Sequence, residues 1–253
     1  MIVDTHIHLC DPLYEADFKA VLQNADVQGV KKIINTGADM EENRLICARD
    51  FGTNVYRTIG FHPHYADKLT PEIFEEIKHL IKTTARVVAV GEIGLDYFNN
   101  PVPKDIQAQT FIKLLALCDE FDLPVSIHIR DAYDDAVKIL KEHSPKRRGV
   151  IHCFTQGYDT ALEFTKLGYL LGIGGVLTFK NALPLKAAVK QLELKCMVLE
   201  TDAPYLAPGK YRGKRNESAY LSYVVAEIAT IKGCTIKEVE ESTTHNAEKL
   251  FRI

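Results

Sequence analysis

Two histidines near the beginning of the chain, His6 and His8, are spaced so that they could bind the same metal ion. They lie in the segment 1–9, which is rich in apolar and β-branched residues and is therefore typical of a β-strand. Side chains alternate between the two faces of a strand, so Asp4, His6 and His8 are expected to point to the same side. Histidine is the commonest protein ligand for metals. The other interpretation is a solvated strand face that carries two polar residues.

Further histidines and carboxylates follow other apolar segments of the chain. They are His62 and His64 in Gly60–His64, Glu92 in Val90–Tyr97, His128 in Val125–Asp131, His152 in Val150–Phe154 and Asp202 in Leu199–Pro204. In a parallel barrel, functional side chains gather at the C-terminal ends of the strands. Histidines placed at random would not follow successive strands in this way, so we expect these residues to form one metal centre.

The number of candidate ligands predicts two divalent ions, with Mg, Mn and Zn as the candidates. Imidazole and carboxylate together suit zinc, manganese, iron or nickel, whereas magnesium takes more oxygen ligands and water. The expected ligands are His6, His8 and Glu92 for the first ion, and Glu92, His128 and His152 for the second. Asp202 is expected to complete the first site or to act as a base. Two ions bridged by a carboxylate would form a hydrolytic centre.

The spacing of the apolar segments predicts the α/β fold that would bring these side chains together. Strands are expected at Ile2–Leu9, Lys32–Thr36, Val55–Gly60, Val87–Ile93, Pro124–Ile129, Val150–Phe154, Tyr169–Ile173 and Met197–Glu200. Stretches with helical periodicity lie between them. Eight strands are the number that a TIM-like (β/α)8 barrel requires. An open doubly wound sheet would instead carry a glycine-rich turn after its first strand, and this chain has Leu9-Cys10-Asp11-Pro12 there.

Local signals place the helix boundaries. Thr70 followed by Pro71 predicts the start of a helix, with Thr70 as the N-cap. After the eighth strand, helices are expected at Ser218–Ile231, Ile236–Glu241 and Ala247–Phe251. His245 would then lie at a late helix start, as a capping or surface residue. We expect one TIM-barrel domain of the metal-dependent hydrolase type over residues 1–253.

Composition limits the classes of function. A formal net charge of −3 argues against a protein that coats nucleic acid electrostatically, but not against an enzyme that binds a few phosphates. The six cysteines include no CxxC pair, which is typical of a reducing compartment. The N-terminal segment lacks the basic region of a signal peptide, and no apolar stretch is long enough to span a bilayer. We therefore expect a cytoplasmic protein without a membrane partner.

Several other polar residues are candidates for substrate contact or for structure. The loop Lys210–Asn216 carries Lys214 and Arg215 on the expected metal side and is either a phosphate clamp or a solvated loop. Arg130 either binds phosphate or pairs with a carboxylate. Cys153 is expected to point away from the side on which His152 lies. Tyr97 and Phe98 would either stack on a base or pack at the rim.

The chain resembles the TatD family of metal-dependent deoxyribonucleases, which belongs to the amidohydrolase superfamily. The similarity runs from Asp4 to about Phe251. The segments that carry it are Asp4–His8, Gly60–His64, Gly91–Tyr97, His128–Ala132, His152–Phe154, Glu200–Leu206 and Arg212–Glu217. Two positions depart from the family pattern: Gln156, and Ser218, where proline is usual.

The resemblance implies a TIM-like barrel that acts with divalent metal as a 3′–5′ exonuclease or related nuclease on ends of single-stranded DNA. It places His6, His8, Glu92, His128, His152 and Asp202 at the family's metal positions, and His62 and His64 at the substrate phosphate. Some family members act on RNA or remove D-amino acids from tRNA.

These observations lead to one hypothesis and two rivals. The hypothesis is phosphodiester hydrolysis, in which metals bound through Glu92 activate water and Asp202 accepts its proton. The expected substrate contacts are His62, His64, Arg130, Lys214 and Arg215. The first rival hydrolyses another ester or a C–N bond, as a D-aminoacyl-tRNA deacylase or a small-molecule amidohydrolase does. The second is a non-catalytic binding protein. A monomer or a weak homo-oligomer is expected.

Overall fold

The computed structural model describes residues 1–98 and 100–253. Within them, eight strands form one sheet in sequence order, and every neighbouring pair from the first to the eighth is parallel. The strands are β1 (Ile2–Ile7), β2 (Val30–Thr36), β3 (Val55–Ile59), β4 (Val87–Asp96), β5 (Val125–Arg130), β6 (Gly149–Ile151), β7 (Leu170–Ile173) and β8 (Met197–Leu199). The predicted TIM-like (β/α)8 barrel is confirmed, and it is nearly closed.

Helices connect the strands and cover the outside of the sheet. In the described part of the chain they are α1 (Phe18–Val27), α2 (Met40–Ala48), α3 (Pro71–Thr83), α4 (Lys104–Glu120), α5 (Tyr133–His143), α6 (Tyr158–Lys166), α7 (Leu183–Gln191), α8 (Leu221–Lys232) and α9 (Ile236–Phe251). Thr70 caps α3 by accepting a hydrogen bond from the backbone N–H of Ile73, and Pro71 is its first residue, as predicted. No helix among the described residues combines the length and apolarity needed to cross a bilayer.

Apolar side chains from five different strands fill the interior of the barrel. They are Val3, Ile34, Ala89, Val150 and Val198, all buried and packed in one cluster. Residues from strands on all sides of a barrel can meet only in its interior. Ala247 and Phe251 of α9 belong to the same cluster, so this helix covers the N-terminal end of the barrel. A larger cluster of buried side chains packs the helices against the sheet.

The junction between β8 and β1, called the seam below, is held mainly by hydrogen bonds that do not form a regular ladder. Within the described ranges one isolated bridge, Ile7 to Ala203, joins this edge. The backbone N–H of Asp202 donates to the carbonyl of His6 at 2.9 Å, and that of His8 donates to Ala203 at 2.8 Å. The hydroxyl of Thr5 donates to the carbonyl of Leu199 at 3.0 Å. The two ends of the sheet therefore meet beside the candidate metal ligands.

Several boundary predictions differ from the structure. The helices expected at Ile236–Glu241 and Ala247–Phe251 are one continuous helix, α9, and His245 lies exposed in its interior. Strand β6 ends at Ile151, so His152 lies just beyond the strand, and β4 continues to Asp96. The C-terminal end of the barrel is called the mouth below.

Candidate metal centre

A cavity of about 960 Å³ opens at the mouth. Five of the six side chains predicted as ligands line it, and the sixth, His6, is fully buried next to Glu92. His6, Glu92 and His128 belong to β1, β4 and β5, whereas His8 and His152 come directly after β1 and β6, and Asp202 lies three residues after β8. These polar side chains therefore lie toward the C-terminal ends of the apolar strands.

Glu92 lies at the centre of this group. Its Oε2 atom is 3.6 Å from Nε2 of His6 and 3.7 Å from Nε2 of His8. Its Oε1 atom is 2.8 Å from Nδ1 of His128 and 3.7 Å from Nε2 of His152. The two oxygens of one carboxylate thus face two different pairs of imidazoles. This is the arrangement that a carboxylate bridging two ions requires.

Asp202 lies on the His6 and His8 side of Glu92. Its Oδ1 atom is 3.6 Å from Nε2 of His8, 3.6 Å from Nε2 of His152 and 3.9 Å from Nε2 of His6. The backbone of Asp202 has a φ of +56°, a left-handed conformation that is uncommon for a residue other than glycine. The turn after β8 therefore directs this carboxylate over the floor of the cavity.

The donor set fits divalent cations. Three overlapping groups have all their candidate ligand atoms within 4.8 Å of one another: His6, His8 and Glu92; His6, His152 and Asp202; Glu92, His128 and His152. The Nε2 atoms of His6 and His8 are 3.2 Å apart. Two ligands at about 2.1 Å from a tetrahedral zinc ion lie about 3.4 Å apart. Nitrogen and oxygen donors suit zinc, manganese, iron or nickel.

The ionisation states of His6 and Glu92 agree with ligand roles, whereas at His8, His128 and His152 the neighbouring carboxylates outweigh burial and raise the pKa of the imidazole. Burial lowers the pKa of His6, and the neighbouring His152 lowers it further. Burial alone would raise the pKa of Glu92, but the surrounding imidazoles of His62, His128 and His6 outweigh it and bring that pKa well below its usual value. A neutral imidazole and an ionised carboxylate are the forms that bind metal.

Three further carboxylates contact the far nitrogens of these imidazoles, and sequence reasoning did not assign them a role. Asp96 Oδ2 is 3.0 Å from Nε2 of His128, Glu42 Oε1 is 3.1 Å from Nδ1 of His8, and Glu200 Oε1 is 3.1 Å from Nδ1 of His152. The carboxylates of Asp96 and Glu42 are hydrogen-bonded to their rings, which fixes the tautomer and orientation of a ligating imidazole, whereas the contact of Glu200 with His152 lacks hydrogen-bond geometry. Asp96 and Glu200 lie within segments that carry the family resemblance. Nothing in the sequence around Glu42, in the first turn of α2, indicated its role.

Asp4 does not point into the cavity, which corrects the expectation from simple alternation. Pairing between β1 and β2 is irregular between Asp4 and Ile7, so the two-residue periodicity is broken there. The Asp4 carboxylate instead accepts hydrogen bonds from the hydroxyls of Thr201 and Ser218, both at 2.7 Å. Ser218, which replaces the family's usual proline, therefore helps to hold the seam and does not touch a candidate ligand.

The predicted substrate residues separate into two groups. His62, His64 and Arg130 line the cavity. His62 Nε2 is 3.8 Å from Glu92 Oε1, and His64 Nε2 is 3.1 Å from Asp96 Oδ2. The Arg130 guanidinium stacks on the ring of Phe98 at 3.8 Å, so the carboxylate pairing considered for it is not what the structure has.

Lys214 and Arg215 lie outside the cavity wall. Both charged nitrogens of Arg215 are 2.7 Å from the carboxylate of Asp17, and Lys214 is exposed.

The placement of Cys153 was also predicted incorrectly. Its backbone has a φ of +47°, and the residue lines the cavity beside His152 rather than packing on the opposite side.

Comparisons with known proteins agree with this fold and centre. The family model described as TatD related DNase matches residues 3–252. The uncharacterized metal-dependent hydrolase YabD of Bacillus subtilis (strain 168) is 41% identical over 258 residues, covering 100% of both chains. The 3′-5′ ssDNA/RNA exonuclease TatD of Pectobacterium atrosepticum is 32% identical over 258 residues, covering 99% of each.

A solved structure is also closely similar. The crystal structure of YjjV, a TatD homologue from Escherichia coli K12, superimposes with a TM-score of 0.94 at 31% identity, covering 100% of this chain and 98% of that one. The fold, the match along nearly the whole chain and the His, Asp and Glu donor groups lead to the same assignment. This chain belongs to the TatD family of metal-dependent hydrolases.

Proposed function

We propose that this hydrolase cleaves phosphodiester bonds and acts as a 3′–5′ exonuclease on single-stranded DNA. The observation that carries the proposal is Glu92, whose two oxygens face two donor pairs at the floor of one cavity. His62, His64 and Arg130 lie in the wall above it. Hydrogen-bond donors and a cation above a pair of ions suit a substrate with negatively charged oxygens. The relative named a 3′-5′ ssDNA/RNA exonuclease supports the same reaction class.

The centre would hold two divalent ions, one on His6, His8 and Glu92 with Asp202, the other on Glu92, His128 and His152. Bound there, the ions would supply a Lewis acid for a phosphoryl oxygen and lower the pKa of water. The carboxylate of Asp202 faces the same space and would accept the proton of the attacking water as general base. Zinc, manganese and magnesium are the candidates.

His62 would donate a hydrogen bond to the phosphate. Its Nδ1 accepts from the backbone N–H of His64 at 3.2 Å, so the neutral ring carries its proton on Nε2, the atom that faces Glu92. Burial lowers the pKa of His62 to about 3, which keeps the ring neutral. Arg130 would contribute the positive charge at the rim, already oriented by Phe98.

The shape of the site favours a strand end over an internal cut. The candidate ligands lie at the floor of a cavity, and Tyr205 and Phe98 stand at its rim with 51% and 45% of their surface exposed. A single strand could insert its terminal nucleotide while neighbouring bases stack on these rings. The cytoplasmic location and the monomeric or weakly associated state stay predictions.

Asp202→Asn tests the proposal. With metal-loaded protein and end-labelled single-stranded DNA, kcat should fall by about 10²- to 10⁴-fold because the general base is lost, while elemental analysis finds nearly the wild-type metal content. Asp39→Asn is the matched control. Asp39 lines the same cavity but caps α2, and asparagine caps equally well. Unchanged turnover in Asp202→Asn would refute the assignment, and internal cuts would refute exonuclease action.

A second candidate is hydrolysis of an aminoacyl ester, as in a D-aminoacyl-tRNA deacylase. It is favoured by one observation: the wall near α2 is acidic, with Asp11, Asp39 and Glu41. Such a wall suits an ammonium group and repels phosphate. A panel of single-stranded DNA, RNA, aminoacyl-tRNA and small esters separates the candidates. Preferential cleavage of the aminoacyl ester, judged by kcat/KM, would replace the nuclease proposal.

A further inference from the structure

The basic loop after β8, Lys210–Asn216, takes no part in the candidate metal centre. It contains Lys210, Arg212, Lys214 and Arg215 within six residues. Arg215 pairs with Asp17. In the described part of the chain, the other three have no carboxylate within ion-pair distance. Three uncompensated cations in five residues are a strong local concentration of charge in a protein whose net charge is −3.

Aromatic rings lie beneath two of these cations. The Arg212 guanidinium is 4.6 Å from the centre of the Phe179 ring. The Lys210 ammonium is 4.9 Å from the Tyr223 ring and 2.9 Å from its hydroxyl. Tyr211 stands against Tyr223 with ring centres 5.5 Å apart. These rings are partly exposed, and cations held on them form a surface that suits phosphates and bases together.

This surface is firmly connected to the cavity. Asn216 is fully buried, and its side-chain amide donates to the carbonyls of Thr201 and Tyr205 at 2.9 and 2.7 Å. The backbone N–H of Gly209 donates to the hydroxyl of Thr178 at 2.7 Å, in the 3-10 turn 175–178 next to Phe179. Thus the segments that carry the cations are tied to residues beside Asp202 and to the wall of the cavity.

We propose that Phe179, Lys210, Tyr211, Arg212, Lys214 and Tyr223, named here the outer patch, bind a single nucleic-acid strand several nucleotides away from the end being cleaved. This inference rests on the proposed nuclease function and extends it. The acidic wall near α2 would repel the strand, whereas the outer patch attracts it. A strand with its end in the cavity therefore leaves over the β7 and β8 side of the mouth.

The outer patch predicts that long substrates bind better than short ones. With metal-loaded enzyme, KM for a 20-nucleotide thymidine strand should be lower than KM for a 4-nucleotide strand. Arg212→Ala/Lys214→Ala should raise KM for the long strand toward that for the short one and leave kcat on the short strand unchanged. Lys141→Ala/Lys166→Ala is the matched control, because both lysines are exposed on outer helices and the charge removed is the same.

Salt dependence provides a second measurement that does not require cleavage. Binding of a fluorescent 20-nucleotide thymidine strand should weaken with salt, and the slope of log K against log salt should become smaller by about 1.4 in the patch variant, since each single-strand phosphate contact contributes about 0.7. The control variant should keep the wild-type slope. The melting temperature of each variant checks its fold.

The outcomes distinguish the outer patch from the nuclease proposal. Cleavage with the same KM for both lengths, together with an unchanged slope in the patch variant, would overturn the outer patch and leave the nuclease proposal standing. Patch-dependent binding without cleavage by the wild type would support the outer patch as a binding surface and overturn the nuclease proposal. Absence of both binding and cleavage would overturn both.

Discussion

Replacement of Asp96 with asparagine should weaken metal binding on the His128 side of the centre while leaving the fold intact. Asp96 is buried, and its Oδ1 atom accepts a hydrogen bond from the backbone N–H of Phe98 at 2.9 Å. Asparagine can preserve that bond because it keeps one oxygen. The other carboxylate oxygen, 3.0 Å from Nε2 of His128, would be replaced by an amide nitrogen that can only donate.

The consequence is a change of tautomer at His128. To accept from the new amide, Nε2 must lose its proton, and the neutral ring must then carry it on Nδ1. That atom is the one 2.8 Å from Glu92, where a lone pair is needed for an ion. Loss of a carboxylate that orients a ligating histidine typically reduces metal affinity by about 10- to 100-fold, or about 1.4 to 2.8 kcal/mol.

The assay is a metal titration against a chromophoric chelator, with Zn²⁺ and Mn²⁺ in separate experiments. One ion should bind about 10- to 100-fold more weakly, and the ion on His6 and His8 should keep its affinity because Asp96 is not among their contacts. Asp135→Asn, a partly buried carboxylate bonded to Tyr97, is the control. Wild-type affinity for both ions in Asp96→Asn, with an unchanged melting temperature, would refute the reasoning.

Three further predictions concern stability. Removal of metal by a chelator should lower Tm by about 5 to 10 °C, since an ion at 100 times its Kd contributes about 2.7 kcal/mol; no shift would argue against a resident ion. Asn216→Ala should lower the free energy of unfolding in urea by about 1 to 3 kcal/mol, because the buried carbonyl of Thr201 and the partly buried carbonyl of Tyr205 lose their donor; an unchanged midpoint would show that these bonds are replaced. Phe111→Ala removes a side chain of α4 that is 1% exposed, and it should lower the free energy of unfolding by about 3 to 5 kcal/mol. The control Leu183→Ala, at a side chain 67% exposed, should change that free energy by no more than about 0.5 kcal/mol. Equal losses in the two variants would contradict the assignment of Phe111 to the core.

The barrel and the convergence of the candidate ligands could be predicted because both depend on local patterns. Polar residues such as His8, Glu92 and Asp202 lie in the C-terminal half of an apolar strand or within three residues after it, so strand order and strand polarity suffice to bring these residues to one end. The same reasoning could not place Glu42 or the Arg215–Asp17 pair. Those contacts join residues that are distant along the chain. The sequence around each of these residues has no hydrophobic periodicity that would indicate its partner.

The helix α9 shows a different reason for a wrong prediction. Thr243, Thr244 and Asn246 have low helix propensity, so the sequence between the two expected helices reads as a break. In the fold, the Thr244 hydroxyl donates to the carbonyl of Met1 at 2.8 Å, and the Asn246 amide donates to that of Met197 at 2.7 Å. Tertiary bonds to the beginnings of β1 and β8 therefore outweigh the local preference, and they account for the polar residues in this helix.

The seam between β8 and β1 has a consequence for the order of events during synthesis. His6 and His8 leave the ribosome early, but Thr201, which bonds to His6 across the seam, follows 195 residues later. At about 5 to 20 residues per second, that interval lasts roughly 10 to 40 s. Asp202 reaches the two histidines only after nearly the whole barrel has been made. A metal ion that needs all three of these side chains therefore cannot be bound until Asp202 has been synthesised.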